Sequence, residues 1–211
     1  MAPRWRCDTE PIVPRLFYMP RTRSSRVLWL PTEIGASYDL TKVEPAERRS
    51  GEHLARHPLG RVPALELDDG TVIFESAAIC IQLADLHPES GLIPPLGPSQ
   101  RGLVYQWAMF AMTELETLYS WIREGIEDGT DSPSRGRFVQ AAAAVAAALD
   151  GHDWLVADRF SVADVLWARV LGSANSRALL TEWPPLVAYV ERAEGRPAFI
   201  EAAAISDRPR G

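Results

Sequence analysis

The sequence predicts an α/β unit joined to an all-helical unit, so the fold class is α/β plus all-α. Before residue 91, short apolar and aromatic segments alternate with segments of helical period. The stretch 91–98 is rich in proline and glycine and can be neither helix nor central strand. Beyond it only the helical period occurs. The predicted divisions are a leader (1–13), an α/β domain (14–90), a linker (91–98) and a helical domain (99–211).

The α/β domain has the predicted element order β-α-β-α-β-β-α. Its first strand, Arg15–Tyr18, is apolar and aromatic and stops at Pro20. The first helix, Ser25–Gly35, ends at a glycine and contains Pro31, which should kink or shorten it. The next strand is predicted over Tyr38–Val43, where apolar residues alternate.

The second half of this domain carries a charged helix and a hairpin. The helix over Pro45–Arg56 should end before His57-Pro58, because a residue that precedes proline leaves the α region. The strands Pro63–Leu67 and Val72–Phe74 flank Asp68-Asp69-Gly70, which is a strong hairpin signal.

Apolar residues at helical spacing define the remaining helices. The predicted buried stripes are Ile79, Leu83 and Leu86 in a helix over 76–87, then Val104, Trp107, Ala111, Leu115 and Leu118 after the linker, and Phe138, Ala142, Val145 and Leu149 in an alanine-rich helix. Three further helices are predicted over Ser161–Arg177, Pro184–Glu194 and Pro197–Ala204. The last two begin with proline, which suits a first helical turn.

Composition argues against several classes of protein. The chain has 22 Lys+Arg against 28 Asp+Glu, a net charge of −6, so no cationic field favours nucleic acid. Charges interrupt every apolar run well before the ~18 residues of a membrane span. The two cysteines, Cys7 and Cys80, form no disulfide framework, and the N-terminus lacks an apolar signal region, so we expect the cytoplasm. His53 and His57 have a zinc-like spacing, but Pro58 ends their helix, so we expect no metal.

The segment 60–79 carries the most chemical information. Val62-Pro63 joins a loop to a strand, and a cis proline there would turn the Val62 backbone outward to pair with a peptide-like ligand. Glu75-Ser76 lies where a strand gives way to a helix, whose N-terminus favours an anion. A carboxylate could bind at Ser76 and an ammonium at Glu75. The alternative is that Ser76 only caps its helix and Glu75 is solvated.

Several segments together resemble the cytosolic glutathione transferases. They are FYMPRTRSSRVLW, HPLGRVPAL, FESAAI, RFSVAD and PAFIEAAA. The resemblance implies a thioredoxin-like first domain, an all-helical second domain, and glutathione held by the cis-Pro loop and the Glu-Ser pair. RFSVAD resembles the family's capping box, with Ser161 and Asp164 as its members.

The resemblance also implies a residue that activates the glutathione thiol. A gapless match to the delta- and theta-like pattern, which bacterial members share, places the activating serine at Thr22. Tyr18 matches the tyrosine of the alpha, mu and pi classes, with a core aromatic as its alternative. Ser24 is a third donor that could instead cap a helix, and Arg23 or Arg26 could hold the thiolate by charge.

The remaining site residues are implied by the expected position of glutathione and its co-substrate. Cations and donors suited to glutathione, the glycine carboxylate above all, are Arg23, Arg48, His57 and Arg61. The acceptor pocket is expected between the first domain and the helix after the linker. Its candidate wall residues are Tyr105, Met109, Met112, Glu116 and Tyr119.

The predicted function is conjugation of the glutathione thiolate to a small hydrophobic electrophile. We expect glutathione as co-substrate, no metal or redox cofactor, and a homodimer. Two alternatives remain open at this point: a non-catalytic binding or regulatory protein on the same fold, and a glutathione-dependent disulfide reductase, isomerase or peroxidase.

Overall fold

The structure is a computed structural model that describes residues 14–116, 118, 122 and 133–206. The expected leader 1–13 and the candidate wall residue Tyr119 lie outside the described residues.

The first half of the chain forms a four-stranded mixed sheet. Its strands are β1 (Arg15–Tyr18), β2 (Asp39–Lys42), β3 (Ala64–Glu66) and β4 (Val72–Phe74), in the order β2-β1-β3-β4. β1 pairs parallel to β2 and antiparallel to β3, and β3 pairs antiparallel to β4. Leu16 is paired with Leu40 on one side and with Leu65 on the other. All four strands lie within the segments that the sequence predicts, and the fold is thioredoxin-like.

Three helices accompany the sheet: α1 (Ser24–Ile34), α2 (Gly51–Arg56) and α3 (Ser76–Leu86), with 3₁₀ turns at Glu47–Arg49 and Pro88–Ser90. Pro31 does not shorten α1, which continues to Ile34. Gly35 then ends the helix at φ 74°, and the N–H of Ala36 bonds to the Pro31 carbonyl at 3.1 Å. The charged helix expected over 45–56 is in two pieces, because Ser50 is extended and accepts from the His53 N–H to start α2.

The second half of the described chain is helical. Its elements are α4 (Ser99–Phe110), a π-helical turn (Ala111–Leu115), α5 (Pro133–Ala148), α6 (Val162–Asn175), α7 (Pro184–Glu194) and α8 (Pro197–Ser206). The proline- and glycine-rich segment 91–98 contains neither helix nor strand. Its Leu92 is buried, and the Leu92 carbonyl accepts from the Val162 N–H at 2.9 Å, so the linker is bound to the helical domain.

One apolar core runs through both domains, and α1 and α6 contribute its largest buried side chains, Trp29 and Trp167. Ile79 and Leu83 are fully buried as predicted. Leu86 is 47% exposed, so its assignment to the buried face is wrong, because α3 has left the core by its last residue.

Contacts between α1 and α8 fix the two domains against each other. The Trp29 and Phe199 rings meet edge to face with centroids 5.0 Å apart, and Thr32 donates to the Ala198 carbonyl at 2.9 Å. Glu33 accepts two bonds of 2.7 Å from Arg196. Across the described residues, no helix combines the length and apolarity that crossing a bilayer requires.

Candidate active site

A groove of about 730 Å³ opens where the two domains meet. Its first wall comes from the β1–α1 loop, the start of α1, the 3₁₀ turn Glu47–Arg49 and the loop before β3. Its second wall comes from α6 and the two residues after it, the last residue of α7, and α8. The lining residues of the first wall are Met19, Arg21, Thr22, Arg23, Ser25, Arg26, Arg48, Arg61 and Val62; those of the second are Arg169, Gly172, Ser173, Ser176, Arg177, Glu194, Phe199, Ala202 and Ala203.

The β1–α1 loop presents Thr22 to the groove just before α1 begins. The Thr22 hydroxyl donates to the Met19 carbonyl at 2.6 Å and accepts from the Ser24 N–H at 3.2 Å. It also lies 3.0 Å from the Ser24 hydroxyl. Arg21, at φ 56°, makes the tight turn before it. Thr22 therefore stands at the positive end of the α1 dipole, where a thiolate is favoured.

Of the other two candidate activators, neither lines this groove. Ser24 is fully buried, and its hydroxyl accepts from the Met19 N–H at 3.3 Å. It therefore holds the backbone of the loop that carries Thr22. Tyr18 is 6% exposed and belongs to the apolar core. Its position matches the alternative given above, a core aromatic residue.

The loop before β3 is fixed by close backbone contacts. The Val62–Pro63 bond is cis, as the sequence suggests. A Cβ on Gly60 would lie 2.3 Å from the Arg48 carbonyl oxygen, so only glycine fits this approach. Arg48 donates from Nε to the Gly60 carbonyl at 2.8 Å. These contacts bring Arg48, Arg61 and Val62 to the groove together.

His57 is buried beneath the same loop and bonds to its backbone, but it does not line the groove. It is 3% exposed, its Nδ1 accepts from the Leu59 N–H at 3.2 Å, and its ring lies 4.9 Å from the Phe74 ring. Burial lowers the pKa of His57, so the ring is neutral at pH 7 and does not supply the cation expected for a glycine carboxylate.

The Glu75–Ser76 turn adjoins the groove through one buried arginine. Glu75 is exposed and adopts φ 74°, a backbone conformation that a non-glycine residue keeps only when its surroundings impose it. Ser76 opens α3 and is 3% exposed. Its hydroxyl accepts from Nη1 of Arg26 at 3.0 Å, and Arg26 itself lines the groove.

Arg26 connects three elements at this point. Its Nη1 also lies 2.6 Å from a Glu116 carboxylate oxygen and 3.5 Å from the Met112 sulfur. Arg23 pairs with the other Glu116 oxygen. Arg26 is 1% exposed, and within the described part of the chain its Nη2 has no hydrogen-bond partner. The three arginines of the segment Arg21–Arg26 were the only sequence signal for this cluster.

Four of the five expected acceptor-pocket residues lie within the described part of the chain. Tyr105 accepts from Arg101, Met109 is half exposed, Met112 touches Arg26, and Glu116 is held by two arginines. None of these four lines the groove; its second wall comes from α6 and α8 instead. Their assignment to the wall of an acceptor pocket stays a prediction. Met112 and Glu116 contact arginines that line the groove.

The electrostatics of the groove are strongly positive. Among the described residues that line it, seven are arginines and one, Glu194, is a carboxylate. Burial raises the pKa of the Cys80 thiol to about 12, so this cysteine is no nucleophile near neutral pH.

Among the residues that the structure describes, no three His, Cys, Asp or Glu side chains come together as metal ligands would. His53 instead bonds through Nε2 to the Arg61 carbonyl at 2.9 Å.

A thioredoxin-like domain with a cis-proline loop, a helical domain, and a hydroxyl at a helix start in the groove between them define the class of glutathione-dependent transferases. Two family models match the chain: Glutathione S-transferase, N-terminal domain, over residues 13–85, and Glutathione S-transferase, C-terminal domain, over residues 132–197.

Individual relatives agree with these family matches. Glutathione S-transferase GstA of Escherichia coli O157:H7 is 29% identical over 193 residues, which is 89% of this chain and 96% of the relative. The crystal structure of a glutathione transferase from Methylococcus capsulatus is 33% identical with a TM-score of 0.81, covering 92% of this chain and 98% of that one. A sphingomonad glutathione S-transferase complexed with glutathione is 27% identical with a TM-score of 0.79, covering 92% and 100%. The chain belongs to the cytosolic glutathione S-transferase family, and it is an enzyme with that activity.

Proposed function

We propose that glutathione binds along the first wall of the groove with its sulfur at Thr22, and that the thiolate attacks an electrophile held against α6 and α8. The observation that carries this proposal is the Thr22 hydroxyl, which faces the groove at the start of α1. A hydrogen bond from this hydroxyl and the helix dipole both favour the charged form of a thiol.

The peptide backbone of glutathione fits the loop before β3. Val62 lines the groove beside the cis bond and can pair with the cysteinyl residue as a strand edge would. Arg48 and Arg61 are the cations nearest this end and suit the glycine carboxylate. Ser76, supported by Arg26, suits the γ-glutamyl carboxylate, and the exposed Glu75 suits its ammonium group.

The Thr22 hydroxyl has a single hydrogen, which the Met19 carbonyl accepts in the structure. A thiolate is a charged acceptor and competes well with a neutral carbonyl, so the hydroxyl rotates toward the sulfur when glutathione binds. Ser24, at 3.0 Å, can then donate to the Thr22 oxygen and polarise it further. One hydrogen bond to a charged group contributes about 1.5–3 kcal/mol, which lowers the thiol pKa by about 1–2 units.

The test replaces the hydroxyl while keeping the shape of the side chain. In the Thr22→Val variant we expect the pKa of bound glutathione, followed by thiolate absorbance, to rise by about 1–2 units, with kcat falling in parallel. Thr22→Ser keeps the donor and should stay within about half a unit. Thr71→Val, which removes an exposed hydroxyl in the β3–β4 turn away from the groove lining, is the control. An unchanged thiol pKa in Thr22→Val would contradict the proposal.

We also propose that the enzyme acts as a cytoplasmic homodimer. Leu59 and Phe74, 53% and 40% exposed, leave apolar surface beside the glutathione loop that a second copy could cover. Light scattering at micromolar concentration measures the mass directly, and a monomer would refute this part.

A further inference from the structure

We propose that the acceptor half of the groove selects electrophiles that carry a negatively charged group, such as a carboxylate on a flat unsaturated frame. This inference rests on the proposed function and names its second substrate class. It departs from the simple hydrophobic electrophile that the sequence suggests.

The second wall supplies a cation at the end of α6. Arg177 donates from Nη1 to the Ser173 carbonyl at 2.7 Å and to the Ser173 hydroxyl at 2.8 Å, so its guanidinium is held at the groove. The charge of Arg169 already has partners in the protein, because its guanidinium pairs with Glu194 at 2.6 Å and lies over the Phe199 ring at 5.0 Å. Arg177 is therefore the cation that this wall offers to a ligand.

The groove has more unpaired positive charges than the negative groups of one glutathione molecule can neutralise. Within the described part of the chain, four of the lining arginines have no ion pair with a carboxylate: Arg21, Arg48, Arg61 and Arg177. Glutathione thiolate has two carboxylates, one ammonium and the sulfur, a formal charge of about −2. Its glycine end occupies Arg48 and Arg61 in the proposed pose. Arg21, next to Thr22, and Arg177, across the groove, remain for the second substrate.

The same wall also has an apolar part. Phe199, Ala202 and Ala203 offer carbon surface beside Ser173, whose hydroxyl can donate a hydrogen bond. A planar frame with one anionic substituent matches this mixture, because the frame covers the apolar part while the anion meets Arg177. A wholly apolar electrophile would remove water from the arginines without replacing its hydrogen bonds, which is unfavourable.

The test uses two aryl chlorides that differ in charge, 4-chloro-3-nitrobenzoate and 4-chloro-3-nitrobenzamide. In each reaction the thiolate sulfur forms a bond to the ring carbon and chloride leaves with the bonding electron pair. Each kcat/KM is divided by the rate constant of the uncatalysed reaction, which removes the difference in intrinsic reactivity. We expect the benzoate to be preferred about tenfold, and the preference to shrink in high salt.

Binding of the two purified glutathione conjugates, measured by titration calorimetry, tests the same preference without turnover. We expect the carboxylate conjugate to bind about tenfold more tightly, and Arg177→Gln to bring the two dissociation constants within about twofold. Arg159→Gln removes an exposed arginine of the helical domain that does not line the groove, and should leave the preference intact.

The outcomes separate the two proposals. Equal dissociation constants in the wild type would overturn the charge preference even if both chlorides react. A preference that survives Arg177→Gln would overturn its assignment to Arg177. If both conjugates bind but neither chloride is turned over above background, conjugation of aryl halides by this enzyme is wrong, and the two dissociation constants still decide the charge preference.

Discussion

At the scale of single residues, Arg26 couples the binding turn to the helical domain. It is 1% exposed, and one nitrogen contacts both Ser76 and Glu116. A buried guanidinium is stable only when its charge and its N–H groups are satisfied. Among the described residues, its buried Nη2 has no hydrogen-bond partner, so this guanidinium keeps one unused donor.

We predict that Arg26→Met raises the KM for glutathione about tenfold, because Ser76 loses its donor and the proposed carboxylate site loses its charge. The free energy of unfolding should fall by about 2 kcal/mol or more, since Glu116 keeps only Arg23. Steady-state kinetics and urea denaturation measure both quantities. Arg26→Lys keeps the charge and should recover part of the KM effect; an unchanged KM in Arg26→Met would show that Arg26 is only structural.

Residues placed by local contacts could be assigned to the groove from the sequence. Residues placed by contacts between distant parts of the chain could not. Thr22, Arg48, Arg61 and Val62 line the groove, and each lies within a short motif of local geometry. Arg177 carries no comparable signal. It lies two residues after the end of α6, and the packing of α6 beside α1 brings it to the groove.

At the scale of elements, the capping box of α6 is buried and extended into a network. Asp164 is fully buried and accepts from the Ser161 N–H at 2.9 Å, the Ser161 hydroxyl at 2.9 Å, the Leu155 N–H at 3.1 Å and the Tyr189 hydroxyl at 3.0 Å. The predicted Ser161–Asp164 pairing is confirmed. The bonds to Leu155 and Tyr189 make Asp164 a junction between α6, α7 and the preceding loop.

We predict that Asp164→Ala lowers the free energy of unfolding by about 3 kcal/mol or more, because it leaves several buried donors without an acceptor. Ser50→Ala removes the exposed cap of α2 and should cost only about 1 kcal/mol. Urea denaturation compares the two variants, and equal losses would contradict the role of burial.

The same residue also gives a pH dependence. Burial raises the pKa of Asp164 from its ordinary 3.8 to about 6, so the folded state holds this proton more tightly than the unfolded chain does. The contribution is present at low pH and is lost as pH rises through about 6. Relative to Asp164→Asn, the wild type should therefore lose stability between pH values of about 4 and 6.

The elements themselves were predictable wherever the pattern is local. The hairpin strands flank Asp68–Gly70 as expected, and α7 has the predicted bounds Pro184–Glu194. The π-helical turn Ala111–Leu115 was not predicted, because its stripe of apolar residues reads as regular helix. The turn and the residue after it place Met112 and Glu116 against Arg26 of the first domain, a contact that no local pattern shows.

At the scale of the whole molecule, α1 belongs to the first domain by sequence, but its side chains contact both domains. Glu33, with a side chain 6% exposed, accepts from the Trp29 indole at 2.9 Å and from Arg196 at 2.7 Å. Arg196 in turn lies over the Phe160 ring at 3.9 Å. Because this buried carboxylate joins groups from both domains, we expect the two domains to unfold together.

We predict that Glu33→Gln lowers the free energy of opening by about 2 kcal/mol in both domains equally, because the interface and not one domain loses its charged bonds. Hydrogen exchange read by mass spectrometry resolves peptides of β1 and peptides of α6 in one experiment. Glu52→Gln, whose carboxylate is 77% exposed in a pair with Arg56, should change neither. Loss of protection in α6 alone, with β1 unchanged, would mean that the two domains unfold independently and that the groove between them can open without either domain unfolding.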